Sequence, residues 1–335
     1  MLSSTILALL AACAAAVVGS PTGIPEDAAA DRTIEELLAL DSNLVQGDAK
    51  AFSVMAGSPI ISESTLATLY YYAGFAAAAY CDPNHVPGTE VTCKDNICPQ
   101  VTTNSVTTII EFADTTSADT TGIVARDDTK QTITVVFRGS QSVRNWFANF
   151  QLLQKDASAF CSRCKLHSGF YKAFMNAFPP ILASVNSLRA QYPSYKLAVT
   201  GHSLGGALAT ITATEFRRLG YTTELYTYGA PRVGNDKFSE FVSQSSGNYR
   251  VTHLNDPVPR LPPAALGYYH ISPEYWISYG DSNIQASKVQ IYYGILNTGG
   301  NTGKGIITLN ATAHLRYFLP VSIASCGPFW DFDLF

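Results

Sequence analysis

The chain has 335 residues, of which 47% are hydrophobic and only 14% charged, enough apolar material for one large core. Its 22 Lys and Arg against 26 Asp and Glu give a net charge of −4, which excludes the basic surface a nucleic-acid partner demands. Plentiful Gly (24), Pro (17), Tyr (18) and Phe (17) fit a loop-rich globular protein and exclude coiled-coil or collagen-like chains.

Residues 1–19 form an Ala- and Leu-rich apolar run ending in small residues, with Val17 and Gly19 suiting signal-peptidase cleavage, so a removed secretory signal is expected. From 20 to 59 the chain is acidic, with Glu26, Asp27, Asp31, Glu35, Glu36, Asp41 and Asp48 against Arg32 and Lys50. The remainder is close to neutral, and such asymmetry marks a tail or a pro-segment. Thr33 and Glu36 have capping-box spacing, and Ile34, Leu37, Leu38, Leu44 and Val45 recur on one helical face. This stretch is expected to be an amphipathic extension, either a propeptide or a cover on the domain that runs from 60 to 335. The run at 66–80 is too short and too Tyr-rich to span a bilayer and predicts a core helix, leaving no transmembrane segment in the mature chain.

Once Cys13 leaves with the signal, Cys81, Cys93, Cys98, Cys161, Cys164 and Cys326 remain, an even number in an exported chain. Cys93 with Cys98 and Cys161 with Cys164 suggest local bridges, which leaves Cys81 for Cys326. No second closely spaced pair lies at zinc-finger distance from Cys161 and Cys164, and no metal ligand set is expected.

Thr132–Phe137 predicts a strand ending in Arg138-Gly139-Ser140. In the segment that follows, Val143, Trp146, Phe147 and Phe150 fall at i, i+3, i+4 and i+7, one apolar helical stripe. The stripe is either an ordinary surface helix packed on the core or a short lid whose greasy face meets lipid. Further on, residues 195–200 predict a buried strand and 204–220 a helix closed by Gly220. Between them lies Gly201-His202-Ser203-Leu204-Gly205, the G-x-S-x-G pattern in the strand–turn–helix setting of a nucleophile elbow.

A serine hydroxyl needs a base within hydrogen-bond reach and a carboxylate to orient that base. The strand at 249–254 leads into Asn255-Asp256-Pro257, placing Asp256 past a strand end, where ligand and catalytic groups gather. His314, near the start of an expected terminal helix, is the best base; His270 reads as a packed strand position. His202 and His253 read as hydrogen-bonded supporting histidines, and His85 and His167 are weaker candidates. Oxyanion donors are expected from the N–H of Leu204 and from the N–H and hydroxyl of Ser140.

Around these residues the chain resembles the fungal, filamentous-type class 3 lipases and their related mono- and diacylglycerol lipases and feruloyl esterases. The matching stretches are AAAAYC from 76, VTCKDNICP from 91, VVFRGS from 135, VRNWFANF from 143, CSRC from 161, GHSLGGALAT from 201, YTYGAPRVGN from 226, VTHLNDPVPRLPP from 251, YYHISPEYW from 268 and AHLRYF from 313. The resemblance implies an α/β-hydrolase fold with a mostly parallel sheet, Ser203, Asp256 and His314 as a triad, Ser140 and Leu204 as oxyanion donors, 141–150 as a lid, and the three bridges. It further implies a secreted, monomeric triacylglycerol lipase that meets acylglycerol at a lipid–water interface without a cofactor. A mono- and diacylglycerol lipase, a phospholipase A1, a feruloyl esterase and a catalytically silent lipid-binding protein are the alternatives. The feruloyl esterases of the family carry a polar flap where this chain has Trp146 and Phe147. The acidic stretch is longer than a typical propeptide of the family, and Asn310-Ala311-Thr312 is a glycosylation sequon close to His314.

Overall fold

A computed structural model describes residues 59–81, 85–114, 120–140, 152–303 and 310–322. The expected signal, the acidic extension up to Ser58, the stripe at 141–150 and Cys326 lie outside the described residues.

The β-branched and aromatic runs form a sheet that, among the described residues, has eight strands. In chain order they are β1 (Val106–Asp114), β2 (Thr120–Asp127) and β3 (Thr132–Phe137), then, after a small hairpin of β4 (Gln154–Asp156) and β5 (Lys165–His167), β6 (Lys196–His202), β7 (Thr223–Tyr228), β8 (Asn248–His253), β9 (Glu274–Ile277) and β10 (Val289–Tyr292). Strands β3, β6, β7, β8 and β9 run parallel in that spatial order, while β1 and β2 extend one edge and β10 the other in antiparallel fashion. Parallel neighbours need crossovers, which α2 (Ser168–Gln191), α3 (Leu204–Arg218) and α4 (Asp236–Ser243) provide. All three lie on one face, the geometry that a monotonic strand order requires of crossovers of a single hand. The opposite face is covered by α1 (Glu63–Cys81) together with the segment from Tyr317 to Val321.

The central strands are buried on both sides, and their side chains sort by the two-residue period. Ile133, Val135 and Phe137 of β3 and Leu197 and Val199 of β6 face α2 and α3, whereas Val136 and Ala198 face α1. Helix α1 carries Ala73, Ala76, Ala77, Ala78 and Ala79, all buried, so its backbone can approach the sheet closely. The core helix expected at 66–80, the strand at 132–137 and the helix from 204 are all present, the last closed by Gly220 at φ +89°.

Among the described residues, no terminal helix starts at His314. His314 sits in a short 3₁₀ turn, Ala311–Leu315, followed by a hairpin of Arg316–Tyr317 with Leu319–Pro320. Phe318 reverses the chain at φ +66°, and Pro320 has no N–H to give a helix. His270 is buried as expected but lies just before β9 rather than in a strand, its Nε2 2.5 Å from the Pro259 carbonyl.

Candidate active site

Strand β6 ends at His202, and the next residue, Ser203, takes φ 56°, ψ −128° before α3 begins at Leu204. A positive φ in a non-glycine residue costs on the order of 1–3 kcal/mol and persists only where its surroundings enforce it. The enforcement is visible in the flanking glycines. A Cβ on Gly201 would lie 2.4 Å from the backbone of Gly205, and one on Gly205 would lie 2.3 Å from the Phe137 carbonyl oxygen, so the turn closes only with hydrogen at both sites. Ser203 donates its N–H to Tyr228 at 2.9 Å and is nearly buried. It stands at the N-terminus of α3, whose first N–H groups have no acceptor within the helix and whose dipole favours negative charge.

Asp256 follows β8 by three residues and is fully buried. Its Oδ1 accepts from the Val258 N–H at 2.9 Å, and its Oδ2 accepts from His314 Nδ1 at 2.8 Å and from the Tyr317 hydroxyl. Asn301 donates through Nδ2 to the Asp256 carbonyl at 2.9 Å, fixing the loop from outside. Since Nδ1 carries the proton given to the carboxylate, His314 Nε2 is the basic nitrogen. It is buried and has no hydrogen-bond partner among the described residues. Gly229, at φ +59°, makes room for the pair: a Cβ there would come within 3.0 Å of both Asp256 Oδ2 and His314 Nδ1. Burial, reinforced by the Asp256 charge, pushes the Tyr317 hydroxyl far above its ordinary range, so it remains a donor to the carboxylate.

Register brings the first-half loop to the same place. Phe137 of β3 pairs with Gly201 of β6, so Arg138-Gly139-Ser140 emerges beside the turn. A Cβ on Gly139 would lie 3.1 Å from Ser203 Cβ. The buried Tyr80 hydroxyl bonds to the Gly139 backbone and, at 3.0 Å, to His202 Nδ1, while His202 Nε2 reaches the His314 carbonyl at 2.7 Å. A carbonyl only accepts, so Nε2 bears the proton and Nδ1 accepts from Tyr80. Burial and the neighbouring His314 hold His202 well below the ordinary histidine range, keeping it neutral. Ser203, Leu204, Ser140, Asp256 and His314 thus converge at the carboxyl ends of β3, β6 and β8.

Val143, Trp146, Phe147 and Phe150 lie outside the described residues. Bridges join Cys93 to Cys98 and Cys161 to Cys164. Cys81 is also disulfide-bonded, and its expected partner, Cys326, lies outside the described residues. His253 contacts two backbone carbonyls, His167 caps α2 by accepting from the Phe170 N–H, and His85 lies 3.3 Å from the Ala78 carbonyl. Among the described residues no helix is long and apolar enough to cross a membrane, and no group of three potential metal ligands forms. Sequence reasoning missed Tyr317, Tyr80 and Asn301. The first lies three residues after His314, a spacing that could have flagged it; the other two are brought in by the fold alone.

A family model described as Lipase (class 3) matches residues 134–266. The chain is 41% identical over 283 residues to secreted mono- and diacylglycerol lipase 1 of Fusarium solani, covering 82% of each protein. It is 36% identical over 275 residues to a lipase of Rhizomucor miehei, covering 80% of this chain and 73% of that one. Among solved structures it is similar to the mono- and diacylglycerol lipase of Aspergillus oryzae, with a TM-score of 0.73 and 36% identity over 78% of this chain and 98% of the other.

Proposed function

Because this chain belongs to the class 3 lipase family, we propose that it is a secreted carboxylic ester hydrolase that cleaves acylglycerols at a lipid–water interface with Ser203 as nucleophile. His314 Nε2 takes the Ser203 hydroxyl proton as Oγ attacks the ester carbonyl, and the imidazolium that forms is held by Asp256 through Nδ1. The carbonyl oxygen, now an oxyanion, is met by the N–H of Leu204 at the N-terminus of α3 and by the N–H and hydroxyl of Ser140. Collapse expels the glyceride alkoxide, which takes the proton back from His314 and leaves an acyl-serine. Water, deprotonated by the same nitrogen, then releases the fatty acid.

The observation that carries this reading is the buried His314 whose Nδ1 is committed to Asp256 and whose Nε2 has no partner among the described residues, at the foot of a strained serine turn. An imidazole held in one tautomer with its basic nitrogen unsatisfied is poised to accept a proton. The stripe Val143, Trp146, Phe147 and Phe150 is assigned as the lid that turns an apolar face to lipid, residues 1–19 as the export signal, and 20–59 as an acidic extension of the hydrolase domain.

Trp146 and Phe147 in the stripe speak against a feruloyl ester, and a triacylglycerol is the first substrate to test. The Fusarium and Aspergillus relatives, which are mono- and diacylglycerol lipases, favour partial glycerides instead. Initial rates of the purified mature protein on a short-chain triacylglycerol across its solubility limit, with a diacylglycerol and a feruloyl ester in parallel, separate these. A rate jump when emulsion appears supports the triacylglycerol reading; turnover confined to the diacylglycerol selects the second. Turnover of the feruloyl ester alone, or undiminished turnover by Ser203→Ala, refutes the proposal.

A further inference from the structure

Two histidines outside the triad reach the same short piece of backbone. His202 Nε2 lies 2.7 Å from the carbonyl of His314, and His253 Nδ1 lies 3.0 Å from the carbonyl of Ala313, the residue before it. His202 immediately precedes Ser203 at the end of β6, and His253 precedes Asp256 by three residues at the end of β8. The 3₁₀ turn that carries His314 belongs to neither strand, being a short segment capped by Asn310, whose side chain accepts from the Thr312 and Ala313 N–H groups. Nothing in so short a turn fixes its own position to the tolerance that proton transfer demands.

Both nitrogens of His253 face carbonyls, since Nε2 lies 2.7 Å from the Gly280 oxygen, with the Asp281 carboxylate 3.6 Å away. Carbonyl oxygens only accept, so His253 holds the Ala313 carbonyl by donating from Nδ1. Asp281 approaches from the loop after β9 and Asp256 lies on the loop after β8, while Tyr317, which donates to Asp256, presents its ring 5.8 Å from the imidazole centroid. His202 donates from Nε2, and its other nitrogen accepts from Tyr80.

We propose that His202 and His253 are positioning residues, a pair of imidazoles that clamp the consecutive carbonyls of Ala313 and His314 and so lock the base to the strand ends that carry the nucleophile and the acid. The clamp rests on the triad reading above.

Amide substitutions test this, because the Asn side-chain nitrogen sits near the place of histidine Nδ1 and that of Gln near the place of Nε2. The clamp therefore predicts a crossed pattern for kcat on a water-soluble short-chain ester. His253→Asn and His202→Gln retain kcat within about 5-fold, while His253→Gln and His202→Asn lose about 30-fold or more with KM little changed, as expected for a misplaced base. Urea unfolding of each variant shows whether it is folded, and at least one variant of each pair must be folded for the comparison, which the amide that keeps the carbonyl bond provides. Equal losses within each pair, or no losses at all, overturn the clamp. Failure of the triad reading looks different: Ser203→Ala then keeps wild-type turnover, whatever the four variants do.

Discussion

At the scale of single residues, Asp256 has its oxygens divided between a backbone N–H, the His314 imidazole and the Tyr317 hydroxyl. Tyr317 holds the carboxylate against rotation and remains protonated because burial and the adjacent negative charge raise its ionisation far out of range. Tyr317→Phe removes one donor to a buried charge, so the protein is expected to lose about 2 kcal/mol in urea unfolding. Its kcat should fall about 10-fold at constant KM, since Asp256 orients the base less tightly. Unchanged unfolding and kcat would show that the carboxylate is held without it. Each member of the proposed triad, Ser203, Asp256 and His314, carries a local mark in the sequence: a glycine-flanked turn, a proline-stiffened strand end, a histidine at the right place in chain order. Tyr80 and Asn301 carry no such mark. Each reaches the site across more than forty residues of chain, and only tertiary packing shows that one supports the first-half loop and the other the Asp256 loop.

At the scale of elements, the serine turn is readable because sterics dictate it. Gly201 and Gly205 cannot bear a Cβ, and the buried strand before and small-residue helix after leave the chain no other way to turn. The region around His314 is the opposite case. ATAHLRYF has a composition a helix tolerates, yet Asn310 caps a single 3₁₀ turn and Phe318 enters the left-handed region to send Tyr317 inward toward Asp256. Local propensity spoke for a helix, and the tertiary demand of the carboxylate prevailed. The edges of the sheet were equally hidden. Strands β1 and β10 pair antiparallel and are partly exposed, so they lack the continuous apolar signature of β6 that makes a central parallel strand evident from sequence.

At the scale of the whole molecule, a sheet buried on both faces carries a buried ion pair between two neighbouring strands. Glu274 of β9 and Arg250 of β8 form an ion pair at 3.3 Å with both side chains almost wholly buried, and Arg250 Nε also donates to the Ile271 carbonyl at 2.8 Å. Burial raises the Glu274 pKa, but Arg250 and the hydrogen bonds from Thr252, Asn297 and Asn301 outweigh it, leaving the carboxyl below the usual glutamate range. A carboxylate depressed in the folded state stabilises above its unfolded pKa, and that contribution is lost as pH falls through the folded value. Acid unfolding is therefore expected to include a step below about pH 4.5 that Glu274→Gln lacks. The same substitution should cost about 3–5 kcal/mol at neutral pH, because it strands Arg250 without its partner. An acid transition identical in the two proteins would show that the pair contributes nothing to the pH dependence. Asn301 ties this pair to the active site, accepting Arg260 through its carbonyl, donating its N–H to Glu274 and its amide to Asp256.

The central claim is that Ser203 carries the acyl group between the two halves of ester hydrolysis. Quenching the protein with acid during turnover of a short-chain ester, then mapping peptides by mass spectrometry, tests it directly. The account predicts the mass of the acyl group on the peptide containing Ser203 and its absence in Ser203→Ala. An acyl group on another residue, or undiminished turnover by Ser203→Ala with no adduct in either protein, would contradict it.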